Sequence, residues 1–367
     1  MTEPAPLVLL AAGGTGGHLF PAQALAAVLA RQGVAAMLAT DRRAEKFSED
    51  FSQVHVIPSA TLRGRDPISL TRSMTTLASG VLKAFAMLGR VRPVVVVGFG
   101  GYPSLPPLLA ARLRGIATII HEQNAVMGRA NRFLAPRVTA IATGFPGVTA
   151  QNAELAAKTS FVGNPVRPMV IAAASTPYEP PQSSAPLRLL VFGGSQGARV
   201  MSEIVPPALA SLDHELKARL QVVQQARAED LEHVRGIYAT AGIAAEIAPF
   251  FNDLPARMAA AHLVISRSGA STVAELSAIG RPAILVPLPH ALDQDQAANA
   301  AILAEAGAAI RLIQADFTPA RVTAEIGDFA SEPQRLVKMA QAAKSAGTLD
   351  AAQRLAELVI RVAQSAR

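Results

Sequence analysis

Leu9-Leu10-Ala11-Ala12-Gly13-Gly14-Thr15-Gly16-Gly17, close to the N-terminus, is echoed 180 positions later by Leu189-Leu190-Val191-Phe192-Gly193-Gly194-Ser195-Gln196-Gly197. Each is an apolar run breaking into glycines, the pattern of a strand that feeds the first turn of a doubly wound sheet. Its recurrence predicts two sheets of the same kind, each starting afresh. Short β-rich runs alternate with amphipathic stretches along the chain, so the fold class is α/β, with parallel strands and crossover helices in two Rossmann-like domains. Strands are expected at 7–11, 34–39, 54–57, 94–97, 117–120, 138–142 and 160–162, then at 187–192, 220–223, 245–248, 263–265, 283–286 and 308–312. The boundary is expected at Gly163-Asn164-Pro165-Val166-Arg167, ahead of a Pro/Ser/Ala-rich stretch at 172–186, giving domains 1–163 and 164–348. Two lobes on one hinge imply an interdomain cleft, which both glycine loops would face from the carboxyl ends of their strands.

Bulk properties agree with that division. A chain of 367 residues is comfortable as two domains. Half of it is hydrophobic, with 4% aromatic and 17% charged residues, against a disordered or secreted class. Cysteine is absent, which excludes disulfides, thiolate nucleophiles and cysteine metal sites. Leu7–Ala12 reads as a first strand, since no basic region precedes it and no cleavage-like segment follows. The uncharged run Pro93–Ala111 holds four prolines and three glycines, so it does not read as a membrane helix. Net charge is +7, and the excess lies in the first half: residues 1–164 carry 16 basic and 8 acidic side chains. Between Arg63 and Arg114, eight basic residues face the single acid Asp66, a balance suited to anionic lipid or phosphate. Without interleaved aromatics or a reading motif, nucleic acid is not an expected partner.

Glycine loops follow three expected strands, at Gly13–Gly17, Gly98–Gly101 and Gly193–Gly197. Glycine lets backbone N–H groups approach a phosphate, and the helix that follows adds partial positive charge. None fits the dinucleotide fingerprint or the ATP-binding loop. His18 ends the first loop, just before Pro21 is expected to open a helix, where a general base would stand. His121-Glu122-Gln123-Asn124 closes another strand with four polar residues, of which helix capping explains Asn124 alone. No metal-ligand spacing accompanies them, so neither a metal nor a cofactor is expected. Ser266-Arg267-Ser268-Gly269-Ala270-Ser271-Thr272-Val273-Ala274-Glu275 joins a strand to a helix. Ser271 or Thr272 would cap it, and Glu275 would either help the cap or accept two ribose hydroxyls. Asp293-Gln294-Asp295-Gln296 then places amides and acids after a further strand.

Taken in order with Gly98-Phe99-Gly100-Gly101-Tyr102-Pro103-Ser104, Asn164-Pro165-Val166-Arg167 and Gln296 with Asn299, these motifs resemble the MurG family over almost the whole chain. Its members are UDP-N-acetylglucosamine:N-acetylmuramyl-(pentapeptide) pyrophosphoryl-undecaprenol N-acetylglucosamine transferases. The resemblance implies a GT-B glycosyltransferase fold, with a final helix near 349–366 returning to the first domain. It implies inverting transfer of GlcNAc from UDP-GlcNAc to the 4-hydroxyl of undecaprenyl-diphosphate-linked MurNAc-pentapeptide. The setting it implies is the cytoplasmic face of the bacterial inner membrane, held peripherally. Donor contacts carried over are Thr15, Gly16, Gly17, Asn124, Arg167, Ser195, Gln196, the backbone near Phe251, Ala270, Ser271, Thr272, Val273, Ala274 and Glu275, then Gln296 and Asn299. His18 would act as the base and Glu122 would orient it or the acceptor, while Gly14, Gly100, Gly101 and Tyr102 would hold the acceptor's diphosphate. Asp295 departs from the family pattern, standing where many relatives have histidine.

Leu70, Met74, Leu77, Val81, Phe85 and Leu88 recur at helical spacing among Arg72, Lys83, Arg90 and Arg92. That stripe suits either an anionic membrane surface or the core of the lobe. Two other functions fit the architecture: a sugar-nucleotide 2-epimerase and a non-catalytic UDP-sugar-binding membrane protein.

Overall fold

A computed structural model describes residues 6–366 except 14–15, 42–50, 52, 61–66, 183–184, 195–196, 290 and 292. The chain divides into two units, Met1–Arg167 with Leu349–Arg367, and Pro168–Thr348. The first carries β1 (Leu7–Ala11), α1 (Gly16–Arg31), β2 (Ala35–Thr40), β3 (Val54–Val56), α2 (Pro67–Val91), β4 (Val95–Gly98), α3 (Leu105–Leu113), β5 (Ala117–Glu122), α4 (Arg129–Leu134), β6 (Ala140–Thr143), α5 (Ala153–Ala156) and β7 (Thr159–Phe161). The second carries α6 (Pro168–Ala173), β8 (Leu187–Phe192), α7 (Arg199–Ala210), α8 (His214–Arg219), β9 (Leu220–Gln225), α9 (Leu231–Ala241), β10 (Ala244–Ala248), α10 (Leu254–Ala260), β11 (Leu263–Ser266), α11 (Ala270–Ile279), β12 (Ala283–Leu285), α12 (Asp295–Glu305), β13 (Ala309–Arg311), α13 (Pro319–Ser331) and α14 (Pro333–Ala346). The last helix, α15 (Ala351–Ser365), belongs to the first unit.

The sheets share one plan. The first runs β3-β2-β1-β4-β5-β6-β7 and the second β10-β9-β8-β11-β12-β13, with parallel pairing. In each, the strand order reverses beside the strand that carries the glycine echo, between β1 and β4 and between β8 and β11. Ligands of such sheets bind outside the strand ends at that reversal. Both faces are covered, which is why β1 and β4 read as unbroken apolar runs. On one face of the first sheet, Val8, Leu10 and Val97 pack with Leu25 and Leu29 of α1 and Leu355 and Val359 of α15. On the other, Leu9, Val96 and Ile120 pack with Leu88 of α2, Leu108 of α3 and Leu134 of α4. The second unit packs Leu189, Val191 and Ile265 with Val205 of α7 and Ile326 and Phe329 of α13.

Three details depart from the sequence reading. β5 runs on to Glu122, with His121 opposite Ala142 and Glu122 opposite Thr143, because these polar side chains find partners inside the fold. α1 begins at Gly16, so Pro21 lies inside it, and its ring nitrogen cannot donate to the Gly17 carbonyl. The expected border at 163/164 moves to 167/168. Asn164 is the reason: its amide donates to the Gln123 carbonyl at 2.9 Å and ties the segment to the first unit.

Leu355, fully buried among α1 and the first sheet, tests the attachment of α15. Leu355→Ala is expected to cost about 3 kcal/mol, read as an earlier urea transition of the first unit with that of the second unchanged.

Candidate active site

In the first unit, the segments leaving β1 and β4 run side by side, with the Phe99 N–H donating to the Ala11 carbonyl at 2.8 Å. A Cβ at Gly13 would lie 2.9 Å from Pro103, so only glycine lets the first loop pass that turn. Gly100 and Gly101 both have positive φ, +83° and +73°, and turn the second loop over the His18 ring. His18, on the first turn of α1, is half-buried and hydrogen-bonded to the Gly13 carbonyl. Burial lowers its pKa below the usual 6.5, against the smaller upward pull of that bond. A neutral imidazole whose one N–H is held by a carbonyl presents its lone pair on the other nitrogen. Gly16 and Gly17 open α1, and Tyr102 follows Gly101. Gly14, Thr15, Ser195 and Gln196 lie outside the described residues.

The polar run after β5 is a frame. His121 is fully buried, with Nε2 donating to the Gly163 carbonyl at 3.0 Å and Nδ1 accepting from the Gln123 amide at 3.2 Å. Desolvation pushes its pKa down to about 4, so it is a neutral clamp. The Gln123 amide also donates to the Phe99 carbonyl, joining this frame to the second glycine loop. Glu122 is 2% exposed, and its carboxylate accepts four bonds: from the Asn124 N–H and amide on Oε1, and from the Gly128 N–H and Asn131 amide on Oε2. Burial raises its pKa while these donors oppose the rise. A carboxylate so enclosed orients the 123–131 turn. Asn124 is half-buried in this turn. Asn131, on α4, escaped the sequence reading because an isolated asparagine carries no pattern. Arg167, the last residue of this segment of the first unit, holds its guanidinium 4.3 Å above the Phe20 ring.

In the second unit, the Gly193 loop closes on itself, with the Gly197 N–H donating to the Gly194 carbonyl at 3.0 Å. A Cβ at Gly193 would lie 2.1 Å from the Ala198 nitrogen. The Gly193 N–H donates to the Gln225 side chain at the end of β9, another residue that the sequence did not single out. After β11, α11 begins at Ala270 with Gly269 as its N-cap and no side-chain cap bond. Ser271 and Thr272 therefore lie inside the helix, and the expected cap is corrected. Glu275 is its sixth residue, too far along for a capping box, so that alternative falls as well. The open first turn presents N–H groups of the kind that bind phosphate. Val273 is fully buried and offers backbone alone. Ser268 donates to the Gln296 carbonyl at 2.8 Å, and Asn299, 0% exposed, donates its amide to the Ser268 carbonyl at 3.2 Å. Asn299 thus joins two loops from within the core. The Gln296 side-chain Oε1 accepts from the Leu288 N–H, Asp295 accepts from the Gln296 N–H, and Phe251 is buried beneath the Arg257 guanidinium.

On α2 the expected stripe divides. Leu77, Val81 and Leu88 pack into the core, while Leu70, Met74, Phe85 and the neighbouring Lys83 are exposed. Leu82 (71% exposed) and Leu113 (70%) join the exposed set, and Arg114 stacks on Phe85 at 3.9 Å. Among the described residues, no helix is long and apolar enough to cross a membrane.

The profile of the glycosyltransferase family 28 N-terminal domain matches residues 8–143, and that of its C-terminal domain matches 188–355. A protein of Rhodopseudomonas palustris strain BisB18 is 58% identical over 365 residues, covering 99% of this chain and 97% of that one. It is named UDP-N-acetylglucosamine--N-acetylmuramyl-(pentapeptide) pyrophosphoryl-undecaprenol N-acetylglucosamine transferase. The crystal structure of Acinetobacter baumannii MurG superposes with a TM-score of 0.80 at 29% identity, over 97% of this chain and 99% of that one. The chain belongs to the MurG family. Membership makes it a glycosyltransferase whose two family domains coincide with the two parallel sheets. A UDP-GlcNAc 2-epimerase of Neisseria meningitidis, bound to UDP-GlcNAc, reaches a TM-score of 0.67 at 12% identity over 97% of this chain and 100% of that one. That likeness is one of fold alone, and the epimerase reading gains nothing from it over the MurG family.

Glu122→Gln keeps the volume of the buried carboxyl but sets an amide N–H against N–H donors. It is expected to cost about 2 kcal/mol, with faster hydrogen exchange at the Asn124 and Gly128 amides and unchanged exchange in the second unit.

Proposed function

We propose that this chain transfers GlcNAc from UDP-GlcNAc to the 4-hydroxyl of undecaprenyl-diphosphate-linked MurNAc-pentapeptide, giving the lipid II precursor of peptidoglycan. The full-length likeness to a named transferase carries this reading. The loop geometry supplies its chemistry. His18 takes the proton of the acceptor hydroxyl as its oxygen attacks the anomeric carbon, and the sugar–diphosphate bond breaks with its electron pair leaving on UDP. Attack opposite the leaving group inverts the centre to a β-linkage. The second unit is the donor-binding domain: the Gly193 loop and the open turn of α11 hold the diphosphate, Glu275 the ribose, the Phe251 backbone the uracil and Gln296 the sugar. Gln296 suits that task, because its oxygen is fixed by Leu288. Arg167 adds a guanidinium fork for the leaving diphosphate, a role that suits its planar donors. The first unit is the acceptor domain, with the Gly13 and Gly100 loops taking the acceptor's diphosphate.

Labelled UDP-GlcNAc is expected to give lipid-linked product only with the polyprenyl-diphosphate acceptor present; release of UDP and free epimerised sugar without acceptor would overturn the assignment. His18→Ala is expected to lower kcat by about 10²–10⁴ with donor binding intact. The direction of the His18 shift has a further consequence. A lowered pKa keeps the imidazole neutral as pH falls, so the acid limb of kcat/KM is expected below the ordinary 6.5.

The second part of this reading is peripheral attachment to the cytoplasmic face of the bacterial inner membrane through α2. Exposed Met74, Leu82 and Phe85 beside Lys83 and Arg114 support it, since apolar side chains among cations suit an anionic lipid surface. Reversing the charges of Arg72, Lys83, Arg90 and Arg92 is expected to abolish flotation with anionic vesicles; unchanged flotation would remove the membrane from the reading.

A further inference from the structure

Arg267 is the one cation of the 266–275 segment that joins β11 to α11. Its guanidinium is spent on three neutral oxygens. Nη1 donates to the Val286 carbonyl at 3.1 Å and to the Pro287 carbonyl at 3.0 Å, and Nη2 donates to the Gln314 side-chain oxygen at 2.6 Å. Val286 and Pro287 follow β12 and Gln314 follows β13, so one planar fork fastens the ends of two neighbouring strands. Hydrogen bonds from an ionised donor are roughly twice as strong as neutral ones, which makes this a firm hold.

The Pro287 contact reaches further. No peptide bond among the described residues is cis, so the carbonyl and the N–H of the Pro287–Leu288 peptide point in opposite directions. Arg267 grips the oxygen, and on the other side the Leu288 N–H donates to Gln296 Oε1 at 3.0 Å. The next residue, Ser268, is fully buried and holds Gln296 again, donating Oγ to its main-chain carbonyl at 2.8 Å. Two consecutive residues thus fix the side chain and the backbone of one glutamine. With Oε1 engaged by an N–H donor, the orientation of the amide is settled and Nε2 is left on the other side. Gln296 is half-buried, and its Nε2 hydrogens have no partner among the described residues. The bonds run in one sense, from guanidinium to carbonyl and from N–H to Oε1, and each polarises the next toward a stronger Nε2 donor.

We propose that Arg267 is a positioning residue of the transferase: through the Pro287–Leu288 peptide it aims the Gln296 amide so that its N–H groups meet a hydroxyl oxygen of the donor sugar. This rests on the reading of Gln296 as the sugar contact. Because the device acts on the sugar alone, UDP and UDP-GlcNAc respond to it differently.

The test reads the Kd of UDP-GlcNAc and of UDP by calorimetry on the full chain, with kcat and KM at saturating acceptor. Lysine keeps the charge of Arg267 without the planar fork, so Arg267→Lys is expected to raise the Kd and KM of UDP-GlcNAc about five- to tenfold while the Kd of UDP stays within about twofold. Gln296→Ala is expected to weaken UDP-GlcNAc by a similar factor, and in that background Arg267→Lys is expected to add less than about twofold. Gln314→Leu frees the far edge of the guanidinium and is expected to weaken UDP-GlcNAc alone by about threefold; it provides the same comparison if Arg267→Lys lowers the melting temperature. Equal weakening of UDP and UDP-GlcNAc by these variants, or full additivity of Arg267→Lys with Gln296→Ala, would overturn the proposal. If Gln296→Ala leaves the Kd of UDP-GlcNAc unchanged, the reading of Gln296 falls and takes the proposal with it, an outcome distinct from loss of the Arg267 coupling.

Discussion

At the carboxyl ends of both sheets the main chain passes so close to its neighbours that no side chain fits. A methyl group at Gly193 would press on the Ala198 nitrogen, one at Gly98 on Leu108 Cδ1, and one at Gly13 on Pro103. These loops depend on this close approach, and the diphosphate contacts proposed for them need it too, because backbone N–H groups grip such a group only where nothing projects in front of them. The sheets place the tight turns at their reversal points, and α3, α7 and α11 each begin without a side-chain cap bond. A single alanine at these positions disturbs turn, strand end and helix start together. The glycines are thus a packing requirement before they are a binding one.

Behind the glycines stands a buried polar frame in the first unit. His121, Glu122, Gln123, Asn131 and Asn164 are all nearly inaccessible, and they bond chiefly to one another and to main-chain carbonyls and N–H groups. Such a network adds little net stability over an apolar core, but an incorrect arrangement leaves buried groups unsatisfied and is costly. It therefore specifies one arrangement of the turn after β5, the Phe99–Gly101 loop and the Asn164 segment. Ser268, Gln296 and Asn299 perform the same service for two loops of the second unit. In both cases polar residues that resemble ligands in the sequence act largely on other loops.

The strands were legible because a buried parallel strand is apolar on both faces and leaves an unbroken run. The errors have local causes. His121 and Glu122 looked like loop residues because polarity was taken as exposure, whereas their partners lie at Gly163 and Asn131. Ser271 and Thr272 carry capping chemistry, but Gly269 takes the cap position. The α2 stripe was read as one face, yet Leu77 and Val81 turn to the core while Leu82, which is outside the stripe, is among the most exposed. Heptad-like spacing says that a helix has an apolar side without saying what covers it. Phe20, Asn131 and Gln225 could not be read at all, since their contacts are with other segments of the chain.

By itself the sequence determined the two glycine-led repeats, the strands between helices, and the motif set that marks the family. Those properties are local: strand propensity, glycine freedom and residue order within a loop are written in consecutive residues. Tertiary structure alone decided which polar groups are enclosed and which remain accessible. It put Arg167 over Phe20, Asn131 against Glu122, and Leu355 into the core beside α1. Burial and pairing belong to contacts between distant segments, and only the folded chain, by excluding water from some of these groups, sets their protonation and their work.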